Sequence, residues 1–319
     1  MTSNSILDPK AIPALVTSAY SRIQSHLVRT PLIQDAPHHL WLKCEQLQTT
    51  GSFKWRGALS KLSSLQPGQT VVTASTGNHG MGVVKAADLY GMNVIVFLPV
   101  NASPRKKDKL IQSGVEIIQV EGDSLAAEMA GKKYAEDHGF AWVSPYNDPQ
   151  VIAGQGTIGL ELLEQLPKID RVYVTVGGGG LISGIAGYIK AQSPDTEIIG
   201  CQPLHSPEMY LSVLAGHVVN APEELPTLSD GSAGPLEPDS ITFPICQKLI
   251  ERFILVTEEE IREAIRDIFR NHSAIIEGAA GVAYAAALKD TDRSAEDISV
   301  VVLCGGNIDP VIHRQICLP

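Results

Sequence analysis

The sequence predicts an α/β protein of two lobes, each built on mostly parallel strands covered by helices. Three observations carry that expectation. From Val71 onward short β-branched runs alternate with helical stretches, which is the signature of parallel sheets with covered faces. The alternation comes in two series, one from Val71 to Val143 and one from Ile152 to Leu303. At 319 residues, 44% of them hydrophobic, the chain has enough apolar material for one large core or two modest ones.

The elements follow in order. Asp8 to about Leu27 is helical, with Ile12, Leu15, Val16, Ala19 and Ile23 recurring at three and four. Arg29-Thr30-Pro31-Leu32 breaks it, since a residue before proline is pushed out of the α region. Leu40–Glu45 reads as a short strand leading into Thr49–Ala58, a turn at Gly51-Ser52 followed by a helix carrying Lys54. Ser52 is expected to cap that helix. Val71–Ala74, Val94–Leu98, Val115–Val120 and Ala141–Val143 are strands. Between them lie helices to Tyr90, over Pro104–Ser113 and over Ser124–His138; the basic residues Arg105, Lys106, Lys107 and Lys109 read as a solvated face. The second series places a helix over Ile152–Leu166, a strand over Val172–Val176, a helix over Leu181–Gln192 and a strand over Ile198–Gln202. Prolines, glycines and acids then interrupt the pattern to Pro244, with one helix near Pro207–Ala215. Strand Ile254–Val256, helices Glu258–His272 and Ala279–Leu288, and strand Val300–Leu303 complete the series. Residues 70–147 are therefore expected to form a small mobile domain inserted into a large one of 1–69 and 148–319. A site would lie in the cleft between them.

Composition excludes several functions. A net charge of −10 and a pI near 5.4 argue against nucleic-acid or anionic-membrane partners. Met1–Lys10 lacks the apolar core of a signal peptide, and no apolar run approaches the roughly 20 residues of a membrane span. Five scattered cysteines without Cys-x-x-Cys spacing form neither a disulfide framework nor a zinc site. The expectation is a cytoplasmic enzyme with no metal.

Four stretches can carry chemistry. Lys54 stands at a helix start, where the positive end of the helix disfavours an ammonium and so favours an amine nucleophilic enough for a Schiff base. A lone lysine is most often a solvated charge, so this stretch alone decides nothing. Gly177–Gly180 lies between a strand and a helix, where curled backbone amides converge on an anion such as phosphate; a flexible linker is not expected there. As a dinucleotide fingerprint the run fails at Ile182, and neither Asp195 nor Glu197 stands where a ribose-binding acid should. Ser75-Thr76-Gly77-Asn78-His79-Gly80, also between strand and helix, offers hydroxyls and amides suited to a small carboxylate, although a capped helix with a tight turn reads similarly. Val300–Leu303 leads into Cys304-Gly305-Gly306-Asn307, where the cysteine is either a small core residue or a neutral partner for a heteroaromatic nitrogen.

Together with Ala153-Gly154-Gln155-Gly156-Thr157, these stretches resemble the serine/threonine dehydratase family, the fold-type II pyridoxal-phosphate enzymes (tryptophan synthase β-like) that include serine racemases. The resemblance runs from about Arg29 to Asp309. It implies pyridoxal 5'-phosphate in the interlobe cleft, with Lys54 bound to it covalently and moving the substrate's Cα proton, and Phe53 packed beside it. Asn78 would bond the cofactor's phenolic oxygen, Gly177, Gly178, Gly179, Gly180 and Leu181 its phosphate, and Cys304 its ring nitrogen. Gly231 and Glu277 match positions lining the same cleft. Ser75, Thr76, Gly77 and His79 would hold the substrate carboxylate. The implied reaction is loss of water from a β-hydroxy amino acid, L-threonine or L-serine, with acid help from the cofactor phosphate, giving a 2-oxo acid and ammonia; a homodimer is implied too.

Departures from the family pattern shape the alternatives. Thr76 stands where racemases carry a catalytic serine, and its branched β-carbon restricts the hydroxyl, so elimination ranks above racemisation. Gln202 stands where racemase-like members have an acid near a divalent cation; a neutral amide holds a hard cation poorly, and Glu208 is the nearest substitute. Trp55 is larger than the usual residue and is expected to alter the cleft. The chain is expected to carry no C-terminal regulatory domain. The alternatives are an amino-acid racemase, a threo-3-hydroxyaspartate dehydratase, and a catalytically silent cofactor-binding protein.

Overall fold

Two sheets take up the apolar runs. The computed structural model describes residues 7–75, 77–102, 110–220 and 225–318. Strands β1 (Leu32–Asp35), β2 (Leu40–Lys43), β7 (Arg171–Thr175), β8 (Glu197–Pro203), β9 (Arg252–Val256) and β10 (Ser299–Val302) form one sheet in the order β1-β2-β10-β7-β8-β9. All of its pairings are parallel except β1 with β2. Strands β3 (Thr70–Ala74), β4 (Asn93–Pro99), β5 (Glu116–Val120) and β6 (Ala141–Trp142) form a second, wholly parallel sheet in the order β5-β4-β3-β6.

The helices cover both sheets. Helix α1 (Ile12–Ile23) takes Pro13 in its first turn, where a missing amide costs nothing, and buries Ile12, Val16, Ala19 and Ile23 along one stripe. Helices α2 (Lys54–Leu62), α3 (Asn78–Tyr90), α4 (Ser124–His138), α5 (Pro149–Gln165), α6 (Gly180–Gln192), α7 (Glu208–Ala215) and α8 (Thr242–Leu249) follow. Helix α9 (Glu258–His272) opens with a capping box, Thr257 and Glu260 each accepting the other's amide, and buries Ile261, Ala264, Ile265 and Ile268. Helix α10 (Gly278–Lys289) is small and apolar on every side and is buried almost throughout. Helix α11 (Pro310–Cys317) ends the described chain.

Glycines allow α2, α5 and α6 to approach closely. A Cβ at Gly154 would lie 2.4 Å from the Arg56 carbonyl oxygen, and one at Gly184 would lie 2.3 Å from that of Ile152. The Gly154-Gln155-Gly156 segment is thus a packing device behind the lysine helix. Beneath α2, Arg56 donates to both Glu45 and Glu161, and Lys43 donates to Glu161 at 2.5 Å, all four side chains buried. Two cations against two carboxylates leave the cluster neutral, the condition under which buried charge is tolerated. Burial pushes the Glu45 carboxyl up, but Arg56 outweighs it and holds the group below its ordinary value.

Several expectations change. Ser52 does not cap α2: its backbone bridges Gly305, Phe53 takes the cap position in a helical conformation, and the Ser52 hydroxyl finds no partner among the described residues. Trp55 does not face the cleft. It is buried with Leu59, Leu62, Val71 and Val83, and its indole nitrogen donates to the His26 carbonyl at 3.0 Å. Strand β1 and helices α8 and α11 are additions to the expected elements. Most of the Pro104–Ser113 helix, with its basic cluster, lies outside the described residues.

Candidate active site

The residues singled out in the sequence sit where strands of both sheets end. Strand β3 runs into the turn before α3, β6 into Ser144-Pro145-Tyr146, β7 into the glycine run before α6, and β10 into Cys304. Parallel strands place their carboxyl ends together, so side chains distant in sequence meet there. A cleft of about 630 Å³ results, lined by Lys54, Ser75, Gly77, Asn78, His79, Glu128, Tyr146 and Gly231. Its inner recess brings together Phe53, Lys54, Asn78, Gly177 to Leu181, Gly231, Glu277 and Cys304. Thr76 lies outside the described residues.

Lys54 Nζ donates to the Pro145 carbonyl at 2.8 Å and stands 5.2 Å from the centre of the Phe53 ring. Burial lowers its pKa to about 8, against the opposing pull of Glu128 and Glu277. Gly179 has φ +83°, a left-handed conformation that turns the chain into α6. The first amides of that helix have no carbonyl to bond within it and open onto the recess. Cys304 is buried, and burial drives its thiol pKa well above the ordinary value, so the sulfur stays neutral.

Asn78 is held from two sides. Its Nδ2 donates to Glu277 Oε1 at 2.8 Å and Oε2 at 3.0 Å, and its Oδ1 accepts from Asn307 Nδ2 at 2.7 Å. Asn307 Nδ2 also reaches the Thr50 carbonyl at 2.8 Å, while its backbone amide donates to Glu277 Oε2 at 3.1 Å. Burial raises the Glu277 pKa, partly offset by the Asn78 bond.

The His79 ring argues against the carboxylate contact expected of it. Nε2 faces the Val143 carbonyl at 3.1 Å, an atom that only accepts, so Nε2 carries the hydrogen and Nδ1 is left with a lone pair. Burial, then Lys54, lowers its pKa to about 3, so the ring stays neutral. A neutral ring presenting a lone pair repels a carboxylate oxygen. The nearby backbone amides of the first turn of α3 are the better donors. Gln202 is also committed: its Oε1 accepts from Tyr210 N at 2.7 Å and its Nε2 donates to the Ser206 carbonyl at 3.4 Å.

The model of the pyridoxal-phosphate dependent enzyme family matches residues 23–305. The chain belongs to this family. Its cofactor is pyridoxal phosphate. The recess fits that group by the chemistry of its donors: a buried amine of low pKa, a loop of glycines opening the amides of a helix start, and a neutral thiol. As a member of the pyridoxal-phosphate dependent enzymes, the chain is 39% identical to an L-threonine ammonia-lyase of Geobacter sulfurreducens, over 92% of this chain and 75% of the relative. A maize serine racemase superposes with a TM-score of 0.87 at 32% identity, over 95% of each chain. The processed form of a threonine deaminase from Solanum lycopersicum superposes with a TM-score of 0.88 at 30% identity, over 97% of this chain and 88% of that one.

Sequence reading missed Glu128 and Tyr146. Glu128 is one of several charges on α4, with nothing local to set it apart from a solvated face. Tyr146 leans on the glycine run, its ring 2.3 Å from where a Gly178 Cβ would sit, and its hydroxyl accepts from the Glu237 amide at 2.8 Å. Its place in the short loop after β6, between Pro145 and Pro149, is the signal that could have found it.

Proposed function

We propose that this protein eliminates water from a β-hydroxy amino acid, L-threonine or L-serine, to give a 2-oxo acid and ammonia. The observation that carries the reading is the meeting of Lys54, its amine held near pKa 8, with the glycine run and Cys304 in one recess. Identity to an L-threonine ammonia-lyase supports the choice of reaction.

In this reading Lys54 holds the cofactor and then shuttles the Cα proton. At pH 7.5 a pKa of about 8 leaves roughly a quarter of the amine neutral, against about one part in a thousand at the ordinary lysine value. Phe53 packs beside Lys54, and Gly177–Gly180 with the Leu181 amide would bind the phosphate. Bound pyridoxal phosphate supplies the electron sink that accepts the charge left at Cα. Cys304, neutral, would face the ring nitrogen and donate no proton to it. Asn78 would be oriented by Glu277 and Asn307. Ser75, Gly77 and the first amides of α3 would take the substrate carboxylate, with Thr76 beside them. Gly231 and Glu277 would close the opposite wall. Residues 70–147 would move as a small domain against 1–69 and 148–319, drying the cleft when substrate is bound. The reading extends to a cytoplasmic homodimer; among the described residues no helix is long and apolar enough to cross a membrane.

Amino-acid racemisation is the second reading, favoured by the likeness to the maize serine racemase. Borohydride reduction of the protein incubated with pyridoxal phosphate, followed by peptide mapping, tests the site: the label is expected on Lys54. A label on another lysine overturns the site assignment.

A further inference from the structure

Glu128 is unexplained by everything above. It projects from α4 of the small sheet's lobe into the wall of the cleft that also contains Lys54. Its Oε2 is buried and has no hydrogen-bond partner among the described residues. A buried carboxyl oxygen without a partner costs stability, so its retention calls for a group that arrives later. Its surroundings also disfavour a carboxylate. Glu237 is buried nearby with one oxygen bonded to Lys132 at 3.1 Å and the other, Oε1, without a partner. Asp123 adds a like charge; Lys54 and Lys132 oppose it, and the Tyr146 hydroxyl lies in the same field. Burial, then Glu237, raises the Glu128 pKa to about 8, so the acid is protonated at neutral pH. His79, whose buried Nδ1 also has no partner among the described residues, presents only a lone pair there and has no proton to give.

We propose that Glu128 is the acid that protonates the departing β-oxygen of the substrate. This rests on the elimination reading above and replaces the cofactor phosphate in that role. The step balances within the chain. Lys54 takes the Cα proton, and the electron pair left behind forms the Cα–Cβ double bond. The Cβ–O bond breaks with its electrons on oxygen, which takes the Glu128 proton and leaves as water. Glu128 is then a carboxylate, and the proton held by Lys54 restores it across the cleft.

A leaving group that needs no proton separates this role from a structural one. Glu128→Gln, assayed with L-serine and with β-chloro-L-alanine, is expected to release oxo acid from serine at least about 100-fold more slowly than wild type. Its rate with the chloro compound, which expels chloride, is expected to stay within about threefold. The ratio of the two rates is independent of how much of the sample is folded. An unchanged ratio overturns the proposal and returns the proton to another donor. A second readout needs no turnover: the wild-type minus Glu128→Gln infrared difference spectrum at pH 7 is expected to show the carbonyl stretch of a protonated carboxylic acid. A carboxylate band there contradicts it. If wild-type protein eliminates from neither substrate, the elimination reading itself fails.

Discussion

Lys54 carries a titration that can be read directly. Its folded pKa lies below the ordinary lysine value, so the reactive neutral amine accumulates as pH rises through about 8. The rate at which apoprotein captures pyridoxal phosphate is therefore expected to climb from pH 6.5 to about 8.5 and flatten above. Stopped-flow absorbance checks this, and a rate still climbing steeply past pH 9.5 would mean an unperturbed amine. Asn307 offers a second handle. Its exposed side chain ties the lysine stretch, through Thr50, to Asn78 of the small sheet's lobe. Asn307→Ala removes both bonds, worth about 1 kcal/mol each. A fall in kcat/KM of about tenfold is expected, with a thermal midpoint lower by about 2–6 °C; kinetics identical to wild type would show that Asn78 needs no such support.

Among the elements, the packing of α2 on α5 decides where Lys54 stands. Gly154→Ala would drive a methyl to 2.4 Å from the Arg56 carbonyl, backbone that cannot step aside. A loss of about 1–3 kcal/mol is expected from this overpacking, measured by denaturant unfolding with the slope unchanged. Stability equal to wild type would mean that the two helices have room to separate. The elements also show what the chain reveals locally. Strands β3, β4, β7 and β8 and helices α4 and α9 were legible because period and caps agree within one segment. Strand β1 was not, since Ile33 and Gln34 are both exposed and break the alternation. Helix α8 hid behind Pro244, which reads as a breaker yet sits in the first turn, where proline is tolerated. The Ser52 cap failed because a tertiary bridge to Gly305 claimed that backbone. Trp55 was misplaced because a residue beside the lysine on a helix points away from it.

For the whole molecule, the recess was legible at the points where glycines or a lysine interrupt a strand-to-helix passage. The side chains that complete the cleft were not, because Glu128 and Tyr146 come from separate segments, with the Glu237 amide of a third behind Tyr146, and meet only once both sheets are in place. The same geometry makes the cleft an interlobe device. Lys132 of α4 pairs with Glu237 and Asp239, beyond the inserted sheet in sequence, and the proposed movement of residues 70–147 would have to break those contacts. What the cleft does to a hydroxy amino acid is open to a direct assay. Purified protein loaded with pyridoxal phosphate should be given L-threonine and L-serine, following both 2-oxo acid release and the enantiomer composition of the substrate that remains. Elimination at Lys54 requires oxo acid and ammonia in equal amounts, unchanged chirality in the remainder, and activity lost by at least about 1,000-fold in Lys54→Ala. Scrambled chirality with little oxo acid, or full turnover without Lys54, would contradict it.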